Sequence, residues 1–403
     1  MKAMVKKIRT IRFAFCFLLT LASLVIGQVV AQDVYQVLRD NDEGYAQVKQ
    51  GVPLIFPEDH FPHPDYRIEW WYITANLKDS QGQDWGLQWT LFRQSLSPNS
   101  DLKGWDSNQI WMAHAALTTP DKHIFAQRFS RGGIDQAGVK QPAGTNGFDA
   151  WLDDWHWQSS SATLFPSTLE FNVGEYKASF ELESKDNWVL NGDEGFSQKS
   201  AQGQASYYYS QPHITLKGTI KTKDQTTQLS GSAWLDREWS SQALAQNQTG
   251  WDWFSLHLND GSKLMVYQLR HDNQQKAETN QLSTEAHSSN KLSTNELSTE
   301  NWISGSWINA TGEITHLDKD DIELNLLSER EITIKDNTTA IIPLDWSINL
   351  PTLNRHLTIK PLYDQQWLAT TIPYWEGVVL VTDQKGHSVG NGYMELTGYQ
   401  PIN

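Results

Sequence analysis

The chain has 403 residues, with 32 Lys and Arg against 47 Asp and Glu, for a formal charge of −15. That length allows roughly two to three domains with substantial cores, and the acidity argues against nucleic acid or an anionic membrane surface as a partner. The single cysteine, Cys16, excludes a disulfide framework and a thiolate zinc site.

Residues 1–31 carry Lys2, Lys6, Lys7, Arg9 and Arg12, no acid, an apolar run over 13–26 and the small-residue site Val29-Val30-Ala31. This is the pattern of a secretory signal cut after Ala31, so a secreted or periplasmic protein is expected. The apolar run is short for a membrane span and no later stretch approaches the roughly 20 residues needed, so no stable membrane insertion is expected. Without residues 1–31, 27 basic and 47 acidic groups remain, a net of −20.

Residues 32–55 are polar with weak periodicity and read as a lead-in. Two aromatic-rich strands follow, 67–77 and 85–92, which predict the first hairpin of a β-barrel with a greasy interior. Further strands are expected over 110–119, 123–130 and 151–160, the last with Trp151, Asp153, Trp155 and Trp157 on one face. Residues 169–173 and 176–182 flank Gly174-Glu175, a hairpin signal. The stretches 206–210, 214–222 and 228–235 continue the pattern. In the second half, 251–258 and 263–270 flank Asn259-Asp260-Gly261-Ser262, and 302–310 pairs with 313–317 around Thr311-Gly312. Six more short strands follow, up to 392–396. The insert 271–300 repeats Leu-Ser-Thr, lacks aromatic residues and reads as a surface loop. Many short strands without a competing helical period predict an all-β protein with a barrel or sandwich in each half, divided near 242/243.

Nineteen Trp fit a cavity lining, a carbohydrate platform or plain core filling. His60 and His63, three apart near Glu58, Asp59 and Asp65, resemble a zinc set, but the prolines at 62 and 64 and the absence of a helix argue for turn-capping roles, and no metal is expected. Glu69, beside Trp70 and Trp71, is expected to pair with Arg67 or Arg93. Trp234, Asp236 and Glu238 share one face of a strand. An aspartate walled by indoles loses solvation, stays protonated near neutral pH and can protonate an alkene, the indole faces stabilising the cation before water adds. An ion pair of Asp236 with Arg237 or another arginine, simply closing the barrel, is the alternative. Tyr207 and Tyr209 share a face and are expected to orient water. No G-x-S-x-G elbow, H-E-x-x-H, phosphate loop or dinucleotide fingerprint is present, which disfavours a serine hydrolase or nucleotide enzyme, and no cofactor is expected.

The blocks EWWYITANL (69–77), WGLQWTLFR (85–93), AHAAL (113–117), GSAWLDREWS (231–240), WDWFSLHLNDGSKLMVYQLR (251–270) and GYMELTGY (392–399) resemble the lipocalin-like family of hydroxyneurosporene synthase, the carotenoid 1,2-hydratases, in the branch described as secreted hydrolases. The resemblance implies two lipocalin-like antiparallel β-barrel domains, 56–242 and 243–403, and a lipophilic ligand. It also implies hydration of an isoprenoid double bond; fungal relatives use the same cavity for cyclisation. The family's Tyr-x-Asp proton donor appears here as Trp234-Leu235-Asp236, and its His-x-Trp pair as Tyr207-Tyr208-Tyr209. Trp70, Trp71, Trp89, Trp239, Glu69 and His114 are the expected ligand contacts, with Asp236, Trp234, Tyr207 and Tyr209 as the reacting set. The branch also implies an ABC-type transporter as partner, and with it the alternative of a non-catalytic lipid carrier.

Overall fold

The structure, a computed structural model, describes Arg39 and residues 42–99, 102–161, 163–242, 244–271, 300–335 and 338–399. The expected leader and the repeats of the 271–300 insert lie outside the described residues. No helix among the described residues is long and apolar enough to cross a membrane.

The chain is all β and every strand pair is antiparallel. The first domain begins with β1 (Ile68–Asp79), β2 (Asp84–Ser95), β3 (Gln109–Thr118) and β4 (His123–Arg131). It continues with β5 (Ala137–Lys140), β6 (Phe148–Leu152), β7 (Trp155–Ser159), β8 (Ser167–Val173) and β9 (Tyr176–Glu183). The short β10 (Val189–Leu190) and β11 (Phe196–Gln198) precede two long strands, β12 (Ala205–Lys221) and β13 (Thr226–Ser240). The sheet runs β4-β3-β2-β1-β13-β12-β9-β8-β7-β6-β5, with β10 and β11 on β12, and curls into a nearly closed barrel in which β4 meets β6 and β8.

The second domain comprises β14 (Gln248–Leu258), β15 (Lys263–His271), β16 (Trp302–Ile308), β17 (Ile314–Leu317) and β18 (Glu323–Lys335). It ends with β19 (Thr338–Leu350), β20 (Arg355–Pro361), β21 (Trp367–Leu368), β22 (Tyr374–Thr382) and β23 (Ser388–Thr397). Its order is β17-β16-β15-β14-β23-β22-β20-β19-β18, with β21 on β22. The two sheets divide between Ser240 and Gln248.

Period-two alternation explains most of these strands. Along β8 and β9, buried and solvent-facing residues alternate around the Gly174-Glu175 turn, where Gly174 has φ +57° and Val173 faces Tyr176. One expectation fails. Residues 151–160 are not one strand: the chain turns at Asp153-Asp154, with Asp153 at φ +55°, so Trp151 lies in β6 and Trp155 and Trp157 lie in β7. Aspartate tolerates the left-handed conformation, and no glycine marked the turn.

The expectation of a barrel with room for a ligand inside is also corrected. Trp71, Ile73, Ala75 and Leu77 of β1 point inward and meet Trp89, Trp155, Trp157 and Phe171 in one packed core. Small residues make the space for the indoles: Trp89 sits directly across from Ala115, and Leu91 across from Ala113. Ala113 and Ala115 of the 113–117 motif are therefore packing partners of this core, whereas Ala116 faces Leu368 and Tyr374. The second domain fills its own core with Phe254, Trp346, Trp375 and aliphatic residues.

The domains meet on their outer faces. Tyr72 of β1, Tyr208 of β12 and Trp234 of β13 pack on Trp253, Met265, Tyr267 and Tyr393 of β14, β15 and β23. Gly86 of β2 permits this contact, since a Cβ there would lie 2.4 Å from Val378 Cγ2.

Candidate functional site

A cavity of about 160 Å³ lies between the two domains, similar in size to an engineered cavity that holds benzene. Trp70, Tyr72 and Phe92 line it from the first domain, and Trp251, Trp253 and Tyr267 from the second. Asp236, Glu238, His114, Lys199 and Glu395 add its polar groups.

Asp236 lies on β13 across from Tyr72 and Ser210. Its Oδ1 accepts from Ser210 Oγ at 2.5 Å and from Trp234 Nε1 at 2.7 Å, and its Oδ2 accepts from Tyr208 Oη at 2.6 Å. Trp253 Nε1 donates in turn to Tyr208 Oη at 3.2 Å, tying the second domain to the group. These donors favour the carboxylate, yet burial outweighs them and, with the charge of Glu238 nearby, lifts the Asp236 carboxyl to about 7. Asp236 does not pair with Arg237. Neighbours on a strand face opposite ways, and Arg237 turns to Glu69 on the other side of the sheet.

The neighbouring carboxyls are distinct in kind. Glu238 is compensated by Lys199 Nζ at 2.8 Å and accepts from Ser206 Oγ. Burial opposes the charge of Lys199, but Glu238 outweighs it and raises its pKa. Glu395 accepts from Trp251 Nε1 at 3.0 Å and is pushed up to about 7, by burial first and then by the charges of Asp236 and Glu238. Glu376 faces Glu395 across β22 and β23 and accepts from Tyr72 Oη; burial, then Glu395, raises it well above the usual carboxylate range. The cavity thus holds two carboxyls, Asp236 and Glu395, that exchange protons near neutral pH.

His114 is neutral, its pKa lowered to about 3 by burial, and its Nδ1 shares a 2.8 Å hydrogen bond with Tyr374 Oη of the second domain.

Apart from Glu69, the expected site residues divide into three groups. Trp70, His114 and Asp236 line the cavity, and Trp234 holds Asp236 in place. Trp71 and Trp89 lie in the packed barrel core, so the structure does not bring them to Asp236. Tyr207, Tyr209 and Trp239 face away from Asp236, in a separate cluster beneath the 56–66 loop. There Tyr209 Oη bonds His60 Nδ1 at 2.7 Å, Tyr207 Oη donates to Lys49 O at 3.1 Å, and Trp239 stacks on His63 with ring centroids 3.9 Å apart. The tyrosine beside Asp236 is Tyr208.

Glu69 reaches the cavity rim, but its buried carboxylate pairs with Arg93 and Arg237 and accepts from His63 N at 3.0 Å. Burial opposes its charge, yet the two guanidiniums outweigh it and hold it well below the ordinary range. Arg93 was an expected partner; Arg237 was not. Glu69 is the anchor of the 56–66 loop, with Arg93 also donating to His63 O and Tyr66 O at 2.8 Å. Tyr72, Tyr208, Ser210, Trp253 and Glu395 escaped the sequence reading. The alternation Tyr393-x-Glu395-x-Thr397 was the available signal for Glu395.

The AttH-like family matches residues 47–301 and 291–399. The crystal structure of a candidate AttH from Nitrosomonas europaea superposes with a TM-score of 0.71 and 32% identity, over 88% of this chain and 99% of that one. Kievitone hydratase from Nectria haematococca gives a TM-score of 0.58 at 13% identity, over 88% of this chain and 96% of its own. CghA, solved with Sch210972, gives 0.51 at 13% identity, over 89% and 97%. These last two likenesses show a shared fold. No match is found among curated protein sequences. The family match over most of the chain, together with the 32% identity, establishes that this chain belongs to the AttH-like family.

Proposed function

We propose that the protein binds a lipophilic ligand between its two domains and adds water to an isoprenoid-type double bond, with Asp236 as the acid. One observation carries this reading: a buried carboxyl with no cationic partner among the described residues, raised to about 7, set in an aromatic-walled cavity. Such a group keeps a large protonated fraction at neutral pH, and the carboxylate left after proton transfer stabilises the cation formed beside it.

Oδ1 accepts from both Ser210 and Trp234 and Oδ2 from Tyr208 alone, so Oδ2 keeps the lone pair that can carry the proton. Its proton forms a C–H bond at the less substituted alkene carbon. The positive charge that develops on the other carbon faces the π clouds of the surrounding aromatic rings. Water forms the C–O bond, and its surplus proton returns to the Asp236 carboxylate. Alkene and water give an alcohol, and the acid is regenerated. Glu395 stands ready to accept a hydrogen bond from the attacking water.

The fold shared with kievitone hydratase supports the reading at the level of architecture. The finer proposal of a carotenoid-like substrate rests on the sequence motifs, and that of export rests on the basic and apolar opening of the chain. The test is incubation of the purified protein with acyclic isoprenoids in heavy-oxygen water. The label should enter an alcohol product with the native protein and not with Asp236→Asn. Label uptake by Asp236→Asn equal to the native protein removes Asp236 from the mechanism. Unaltered lipid co-purifying with both proteins, and no label uptake by either, points instead to a carrier serving an ABC-type transporter.

A further inference from the structure

Protonation requires only an alkene at Asp236. The wall beyond that carboxyl carries information about the rest of the molecule. In an antiparallel sheet, residues directly opposite one another project to the same face. From β13 to β4 the register gives two adjacent cross-strand rows on the face turned to the second domain.

The first row is polar: Asp236, Tyr72, Thr90, His114, Gln127. The second domain covers its far end. Tyr374 Oη bonds His114, and both Thr371 N and Thr371 Oγ1 lie 3.1 Å from Gln127 Oε1, the amide donating to it. The second row runs Glu238, Trp70, Phe92, Met112, Phe129 and is apolar beyond Glu238. Trp70, Phe92 and Met112 all line the cavity. Phe129, the next residue outward, is 50% exposed on the edge strand β4. Trp70 and Phe92 are half-buried, and Ile372 of the second domain adds an apolar side wall. The row crosses four strand spacings of about 4.8 Å, or about 19 Å in all.

We infer that this row is the seat of an extended hydrocarbon chain, so that the substrate is a linear lipophile whose reacting end lies at Asp236 and whose tail leaves the protein over Phe129. The inference rests on the lipophile-binding cavity of the proposed function and names the shape of its ligand. The cavity volume of about 160 Å³ is enough for the reacting end only, so a longer chain must extend beyond it, and this row offers the path. Met112 suits such a seat because its unbranched thioether adapts to a sliding chain. A compact polycyclic ligand has no use for a strip one residue wide.

The experiment titrates the full chain with 1-hexanol, 1-octanol, 1-decanol and 1-dodecanol, following Trp fluorescence, to which Trp70, Trp251 and Trp253 of the lining contribute. Each buried methylene tightens binding about fourfold. The native protein should show that increment through 1-dodecanol. Phe129→Glu, at an exposed position and checked by its urea midpoint, should lose it for the longest members. Leu327→Glu, 53% exposed on the second sheet, should keep the native series. An affinity that stops rising at 1-octanol in the native protein, or a Phe129→Glu series identical to the native one, overturns the chain seat while leaving the cavity intact. No binding of any alcohol overturns the cavity reading, and the chain seat with it.

Discussion

Replacing Asp236 by asparagine tests whether this carboxyl is protonated in the folded protein. The folded group titrates near 7 against an ordinary 3.8, because burial penalises its charge. Below the ordinary value both folded and unfolded chains carry the proton, and stability is unaffected. Between about 4 and 7 the folded chain keeps a proton that the unfolded chain has released, so raising the pH destabilises the fold. Above 7 both states are ionised and the effect is constant. Three pH units at about 1.4 kcal/mol each give about 4 kcal/mol. Asparagine keeps the shape and an oxygen for Ser210 Oγ and Trp234 Nε1 but does not titrate. The stability of the variant relative to the native chain should therefore climb by about 4 kcal/mol from pH 4 to pH 7 and then level off. Urea unfolding of both proteins across that range reads the difference directly. A difference that stays the same at pH 4.5 and pH 8 shows that Asp236 is ionised throughout, and with that the acid mechanism fails.

The same protonation predicts that hydration, measured as kcat/KM, declines as pH rises through about 7. Tyr208→Phe removes the donor to Oδ2, favours the protonated form and should move that decline to higher pH, whereas Tyr207→Phe, on the opposite face, should leave it in place. Asp236→Asn should cost at least about 100-fold in turnover, the low end for a general acid. Trp89→Ala opens a hole in the barrel core and should cost about 3–5 kcal/mol of stability in urea unfolding, with ligand affinity unchanged in the folded fraction. Glu69→Gln leaves Arg93 and Arg237 buried without their counter-charge and should cost about 3–5 kcal/mol, read the same way.

The strands and hairpins were legible because alternation and turn chemistry are local. Gly174-Glu175 and Asn259–Ser262 fall at the turns of the hairpins that they announce. Two neighbouring strands merged where the reading had a break: β12 runs through Pro212 by means of a bulge between Gln211 and Ile214. The side of the sheet on which the site lies was not legible. Residues 233–240 of β13 are buried on both faces, one against the barrel core and one against the second domain. Alternation separates inside from outside only when one face is wet. Hence Trp234 and Asp236 were correctly placed on a common face, but that face was assigned to the barrel interior. The run Tyr207-Tyr208-Tyr209, buried throughout, has the same ambiguity, and a shift of one residue exchanges Tyr208 for its neighbours. Glu395 and Trp253 lie in the other domain, where only the tertiary packing shows their approach to Asp236.

The central claim is that the first barrel and the core of the second sheet are both filled and that the ligand lies between them. Photolabelling with a diazirine-bearing alkyl alcohol, followed by mass-spectrometric mapping of the attached residues, tests it most directly. Labels should fall on Trp70, Phe92, Met112 and Trp253, which face the cavity. Labels on Leu87, Trp89 or Trp157, inside the first barrel, would contradict the account.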